Sequence, residues 1–225
     1  MYKHRYENVS LIILFISLLS ILLIYPFFKA TEGTQVLLKF MISFVLVAAV
    51  AATTHKVSCL IIAGVLGAGA LLSNWGSLID GEYVWITVNL VFNIVFIGYV
   101  VWVHLVKIMT TRIVTKNLLF GAICVYMLIG LMMAFVYMLI AYYVPHSFDI
   151  ATSQILKSNA LLTYHFFQYT YFSFVTLTTL GYGDIHPVSQ PAEAMAYMEA
   201  IMGQFYLTVL VARLIGLHVS NRNKV

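Results

Sequence analysis

The chain has 225 residues, 62% of them hydrophobic and 9% charged, with a formal net charge of +4. Soluble domains carry roughly 25% charged residues, and no water-soluble fold of this size hides so much apolar surface. The composition excludes a soluble domain, and the positive charge holds no basic cluster dense enough to suggest nucleic acid. Length is better counted in bilayer crossings of about 20 residues each. Five apolar runs approach that length: Val9 to Phe28, Val36 to Thr53, Val57 to Ser73, Tyr83 to Val106 and Leu118 to Tyr143. A sixth runs from Ala192 to about His218. Six crossings put both termini on one side of the membrane.

Charge then sets the orientation. With the N-terminus inside, the inner side holds Lys3, Arg5, Lys56, Lys107, Arg112, Lys116, Arg213, Arg222 and Lys224, and the outer side Lys29, Lys39 and Lys157. The outer loop 74–82 carries only the acids Asp80 and Glu82. Lys and Arg concentrate on the cytoplasmic side of membrane proteins, so both termini are expected in the cytoplasm. The first apolar run follows Lys3 and Arg5 but is too long for a signal-peptide core. It is followed by Tyr25-Pro26-Phe27-Phe28-Lys29 where small residues would mark cleavage, so it reads as a retained span. Cys59 and Cys124 both fall inside apolar spans, where buried thiols are expected and a disulfide is not. The Asn8-Val9-Ser10 sequon falls on the cytoplasmic side and should stay unmodified.

The chain divides near residue 117. Residues 1–106 read as a four-helix transmembrane domain with short loops. Residues 107–117 alternate apolar and basic residues at roughly helical spacing, which predicts an interfacial linker helix with Ile108, Ile113 and Val114 facing lipid or protein. Residues 118–225 read as an outer helix 118–143, a re-entrant half-helix 162–178, a loop 179–183 and an inner helix 192–218. About seven residues follow, too few for a cytoplasmic ligand-binding domain. On the third span, Ala63, Gly67 and Ala70 make a small-residue packing face. Asn89 and Asn93, one turn apart on the fourth, read as an interhelical hydrogen-bond pair or the lining of a polar crevice.

The sharpest motif is Thr179-Leu180-Gly181-Tyr182-Gly183, followed by Asp184. Bare loop cannot face lipid within the hydrocarbon, so non-helical backbone at that depth is buried in protein or lines a watery path. Gly181 and Gly183 permit conformations that let successive carbonyls aim inward. The preceding segment is rich in rings, Tyr164, Phe166, Phe167, Tyr169, Tyr171, Phe172 and Phe174, which should pack as a cuff around the loop. Leu180 and Tyr182 should point away from the axis and wedge against that cuff. A half-helix descending from outside ends with its negative dipole, about half an elementary charge, toward the membrane centre, where a cation is favoured.

In these residues the chain resembles the potassium channel superfamily, whose known filter loop, T-V-G-Y-G, dehydrates K+ with carbonyl oxygens. It is closest in layout to small six-segment bacterial members with one pore loop per chain. The resemblance implies K+ bound at Thr179, Leu180, Gly181 and Tyr182, with K+ the permeant ion and no organic cofactor. Leu180 stands where relatives carry Val or Ile, and Tyr182 where non-selective relatives carry Asp. The resemblance further implies that Asp184 accepts a hydrogen bond from a pore-helix aromatic, here Tyr171. A second acid partner of some relatives is replaced by Val175. Gly203 falls where the family bends its inner helix. Gln204, Leu207, Val211 and Ile215 then share a stripe at helical spacing and are assigned, with Gly203, to the cavity and inner gate; the same stripe suits lipid or core.

Glu199, a carboxylate two turns into a span, is turned off that stripe toward the pore helix and is expected to brace the filter from behind. His186, at the outer mouth, is either a proton-sensitive ring of four or an exposed loop histidine. Arg213 should snorkel to headgroups or bind a neighbouring chain. Voltage-gated relatives need arginines at every third residue of the fourth span. Tyr83 to Leu105 has no Lys or Arg, so strong voltage gating is not expected.

The expected fold is an all-α membrane protein with six transmembrane helices, a re-entrant pore helix and a filter loop. One loop supplies a quarter of a carbonyl cage, so the expected assembly is a four-fold homotetramer in a bilayer. The expected function is passive K+ conduction across the plasma (inner) membrane, with a weakly selective monovalent cation channel as the alternative. A membrane enzyme is not expected, because the seven histidines are scattered without ligand spacing. A secondary transporter would need paired broken helices, and one re-entrant segment is visible.

Overall fold

A computed structural model describes residues 2–28, 32–53, 57–76, 83–111, 115–150 and 161–222. Of the charges used above for orientation, Lys29, Lys56, Asp80, Glu82, Arg112, Lys157 and Lys224 lie outside the described residues, as do Ile113 and Val114. Helix dominates because lipid offers no partner for peptide groups, so each span must satisfy its own. The helices are α1 (Tyr2–Leu23), α2 (Glu32–Ala52), α3 (Val57–Gly76), α4 (Tyr83–Thr110), α5 (Lys116–Tyr143), α6 (Leu161–Leu177) and α7 (Gln190–Arg222). Among the described residues six are long and apolar enough to cross a membrane, and α6 is not one of them. The protein is an all-α membrane protein.

Local chemistry sets the ends. Pro26 lies in a short 3-10 turn, Tyr25–Phe27, that follows α1, and proline cannot continue a helix. The Thr115 hydroxyl accepts from the Leu118 amide at 3.3 Å and caps α5. Ser189 precedes α7, whose first turn carries Pro191 and Glu193, residues suited to a helix N-terminus.

The four N-terminal helices pack on the C-terminal half of their own chain, through α1 and α4 against α5. The small face of α3 is buried, and a Cβ on Gly67 would meet Val50 Cγ2 at 2.9 Å and the Phe96 ring at 3.2 Å. That contact lets α3 lie close to both α2 and α4. The Asn pair behaves differently from the expected interhelical bond. Asn93 Nδ2 donates within α4, to the Asn89 carbonyl at 2.8 Å. The interfacial segment differs too: residues 107–110 continue α4 instead of starting a new helix. An alternating apolar and basic pattern suits the last turn of a spanning helix as well as a surface one.

Burial is uneven in a way that matters. Two-thirds (67%) of the most apolar stretch of α5 is buried, against 6% of α7. Of the six spanning helices described, α7 is therefore the one its own chain covers least. Strand β1 (Phe148–Ile150) pairs antiparallel with β2 (Ile185–Pro187), setting Asp149 opposite His186. With Val188 N donating to Ser147 O at 2.8 Å, this ribbon ties the end of α5 to the segment after the loop.

Candidate ion-conduction site

Helix α6 ends at Leu177 through two backbone bonds that define a left-handed cap. Leu180 N donates to Val175 O at 2.9 Å and Thr179 N to Thr176 O at 2.9 Å. The residue at the left-handed position is Thr179, with φ +57°. Glycine is the usual occupant, and a β-branched residue there is strained by about 1–3 kcal/mol. Gly181 (φ +60°) and Gly183 (φ +80°) follow. Every second residue is thus left-handed. In a strand successive carbonyls alternate sides, whereas this alternation lets them project toward one side. Residues 179–183 are non-helical and exposed in the single chain, Leu180 at 56% and Tyr182 at 67%.

Just past the loop's C-terminal end, the Tyr171 hydroxyl donates to Asp184 Oδ2 at 2.8 Å. His186 Nε2 lies 3.8 Å from Asp149 Oδ2 across the ribbon, so a protonated His186 meets a carboxylate. At the loop's N-terminal end, Gln204 Nε2 donates to Thr179 Oγ1 at 3.1 Å. Both residues line an open crevice of about 370 Å3 with Ala200, Ile201, Phe205 and Thr208. Thr208 was not legible as a lining residue until Gln204 was placed, although it lies one helical turn beyond it. Leu207, Val211 and Ile215 are exposed on α7.

Gly203 is buried on the face of α7 that meets α6, off the exposed stripe of Gln204. A Cβ there would lie 2.2 Å from Leu177 O and 3.2 Å from Leu177 C. The glycine is needed for close approach of two backbones, and α7 runs unbroken past it from Gln190 to Arg222. The same carbonyl of Leu177 accepts from the Tyr126 hydroxyl of α5 at 3.2 Å. The end of α6 is thus held from two sides, two residues before Thr179.

One turn before Gly203 on the same face lies Glu199, fully buried. Ser173 Oγ of α6 lies 2.5 Å from Glu199 Oε1 and 2.7 Å from Gly130 O of α5. The Tyr137 hydroxyl of α5 donates to Glu199 Oε2. Tyr137 in turn packs edge-on against Phe172 (4.9 Å) and Phe148 (5.6 Å). Of the expected ring cuff, Phe166 meets Phe135 at 5.7 Å and Tyr25 at 6.1 Å, so rings from α1's turn, α5 and β1 complete it. The Tyr164 side chain lies outside the described residues. Sequence reasoning missed Ser173, Tyr137 and Tyr126, neutral hydroxyls whose only signal is a partner elsewhere in the chain.

Arg213 is held within its own chain by two backbone carbonyls. Its Nε donates to Ile108 O at 3.0 Å and Nη2 to Thr111 O at 2.8 Å. A guanidinium over the last carbonyls of α4 complements the negative end of that helix.

Residues 133–218 match the family described as ion channel. The matched stretch runs from the last part of α5 through the loop and most of α7, and is similar to that ion-channel family. Comparison with the curated proteins and with the solved structures gave no match.

Proposed function

We propose that the protein is a potassium-selective channel, a homotetramer in which residues 179–183 of four copies ring one axis and pass K+ passively. The observation that carries this reading is the loop itself: left-handed backbone at Thr179, Gly181 and Gly183, directly after a half-helix and bare in the single chain. Irregular backbone at membrane depth must be covered by protein or line a watery path. Further copies of the chain supply both conditions, and the same packing covers the exposed face of α7. Carbonyls of Thr179, Leu180, Gly181 and Tyr182 would replace the ion's water, with the Thr179 hydroxyl at the inner site. Tyr171, Asp184 and, from behind, Glu199 hold the loop. The crevice between Thr179 and Thr208 belongs to the inner cavity, with Val211 and Ile215 at its cytoplasmic end as an apolar constriction.

This reading places the channel in the plasma (inner) membrane with both termini cytoplasmic. No lysine or arginine in α4 lies before Lys107, so the channel is not strongly voltage-gated. The test is ion replacement in liposomes holding the purified protein. K+ flux that disappears when Na+ replaces K+ is the expected result. Equal fluxes of both ions would favour the weakly selective cation channel, and no flux of either would overturn the channel reading.

A further inference from the structure

Glu199 sits where three helices meet, and the atoms around it do not have enough protons to serve a carboxylate. A serine hydroxyl carries one proton, and a peptide carbonyl can only accept. Ser173 Oγ nevertheless lies within hydrogen-bond distance of two oxygens, Gly130 O at 2.7 Å and Glu199 Oε1 at 2.5 Å. If Ser173 donates to Gly130, the proton in the Ser173–Glu199 contact has to come from Glu199. If Glu199 is ionised, Ser173 must turn to it, and two bare oxygens face each other at 2.7 Å.

We infer that Glu199 is a proton-binding site inside the membrane: the neutral acid donates from Oε1 to Ser173, Ser173 donates to Gly130 O, and Tyr137 donates to Glu199 Oε2. Each proton in that arrangement has one acceptor, and α5, α6 and α7 are joined through a single carboxyl group. The groups facing Glu199 are Tyr137 and, farther off, Tyr126 from α5, and Ser173 from α6. Among the described residues no Lys, Arg or His is paired with it. An anion buried without a cation is far less stable than the acid in such a place. Ser173 precedes Leu177 by one turn on α6, so the proton also fixes the end of the pore helix. When hydroxide removes it, forming water and leaving the carboxylate, Ser173 swings to Glu199 and the bond to Gly130 is lost. The site therefore makes conduction sensitive to alkaline conditions.

The conduction part of this inference rests on the proposed channel function, whereas the proton itself does not. Infrared difference spectra of the full-length protein in liposomes, wild type minus Glu199→Gln, read the proton directly. A protonated-carboxyl C=O band at neutral pH, lost on alkalinisation, is expected, and its absence from folded protein overturns the site. Glutamine can make both bonds, donating through Nε2 to Ser173 and accepting from Tyr137, with one Nε2 hydrogen left over. Flux through Glu199→Gln should lose its alkaline decline and exceed that of Glu199→Ala. Glu199→Ala, which strands two buried hydroxyls, should reduce flux by about tenfold or more. A collapse of flux in Glu199→Gln matching that of Glu199→Ala would mean the carboxylate is the working form and overturns the inference. Should the band appear in protein that passes no ion, the proton site stands and the channel reading fails.

Discussion

Gly203→Ala separates two accounts of the inner helix by the sign of its effect. A glycine kept for bending weakens a helix by about 0.5–1 kcal/mol relative to alanine, so its replacement would stabilise the protein. A glycine kept for close approach behaves in the opposite way. The new Cβ would lie 2.2 Å from Leu177 O and 3.1 Å from Leu177 Cδ1. The side-chain atom can turn aside, but the carbonyl cannot, because Tyr126 holds it and the cap at Thr179 begins two residues later. Restoring an ordinary carbon–oxygen contact requires α7 and the end of α6 to part by about 1 Å, and overpacking of this kind typically costs about 1–3 kcal/mol. The displacement falls on the segment leading into the loop, so conduction should suffer with stability. Thermal unfolding in detergent, measured beside K+ flux from liposomes, tests both. Lower thermal stability and reduced flux are expected; a more stable variant with full flux would refute the close-approach account.

Thr179→Gly removes the left-handed β-branched residue together with its hydroxyl, so the fold should gain about 1 kcal/mol while K+ flux falls, as unfolding and flux assays can show. Tyr171→Phe deletes the bond to Asp184 at 2.8 Å. The bond is solvent-exposed and worth about 0.5–1.5 kcal/mol, so currents should form normally but decay faster or admit more Na+, read in planar bilayers. Arg213→Gln loses the charge over the carbonyls of Ile108 and Thr111 at the end of α4. It should lower stability by about 1–2 kcal/mol and change open probability without changing ion preference, because Arg213 lies beside the expected constriction and far from the loop.

Much of this architecture is written in local chemistry. The spans are legible because apolar runs of bilayer length with flanking basic residues have few alternatives. The direction of Glu199 follows from helical spacing alone, and the structure does bring it to Ser173 on α6. What escapes the sequence depends on distances between segments. Nothing local separates a glycine that bends a helix from one that admits a neighbouring carbonyl, so the closeness of Gly203 to Leu177 shows only in the structure. Propensity also argues against a left-handed threonine, so the strain at Thr179 becomes visible only in the backbone. The continuation of α4 to Thr110 follows the same logic, since Lys107 suits a helix end and an interfacial helix equally. Arg213 is a further case: its partners are backbone carbonyls more than a hundred residues earlier, and carbonyls leave no mark in a sequence.

The central claim is that the oxygen atoms of residues 179–183 from several copies surround a dehydrated ion. An electron-microscopy map of the purified assembly in K+ tests it most directly. Four copies about one axis, with density peaks ringed by the carbonyls of that loop and weakened when Na+ replaces K+, is the result the account predicts. A lone chain, or an assembly in which the loop turns toward lipid, would contradict it.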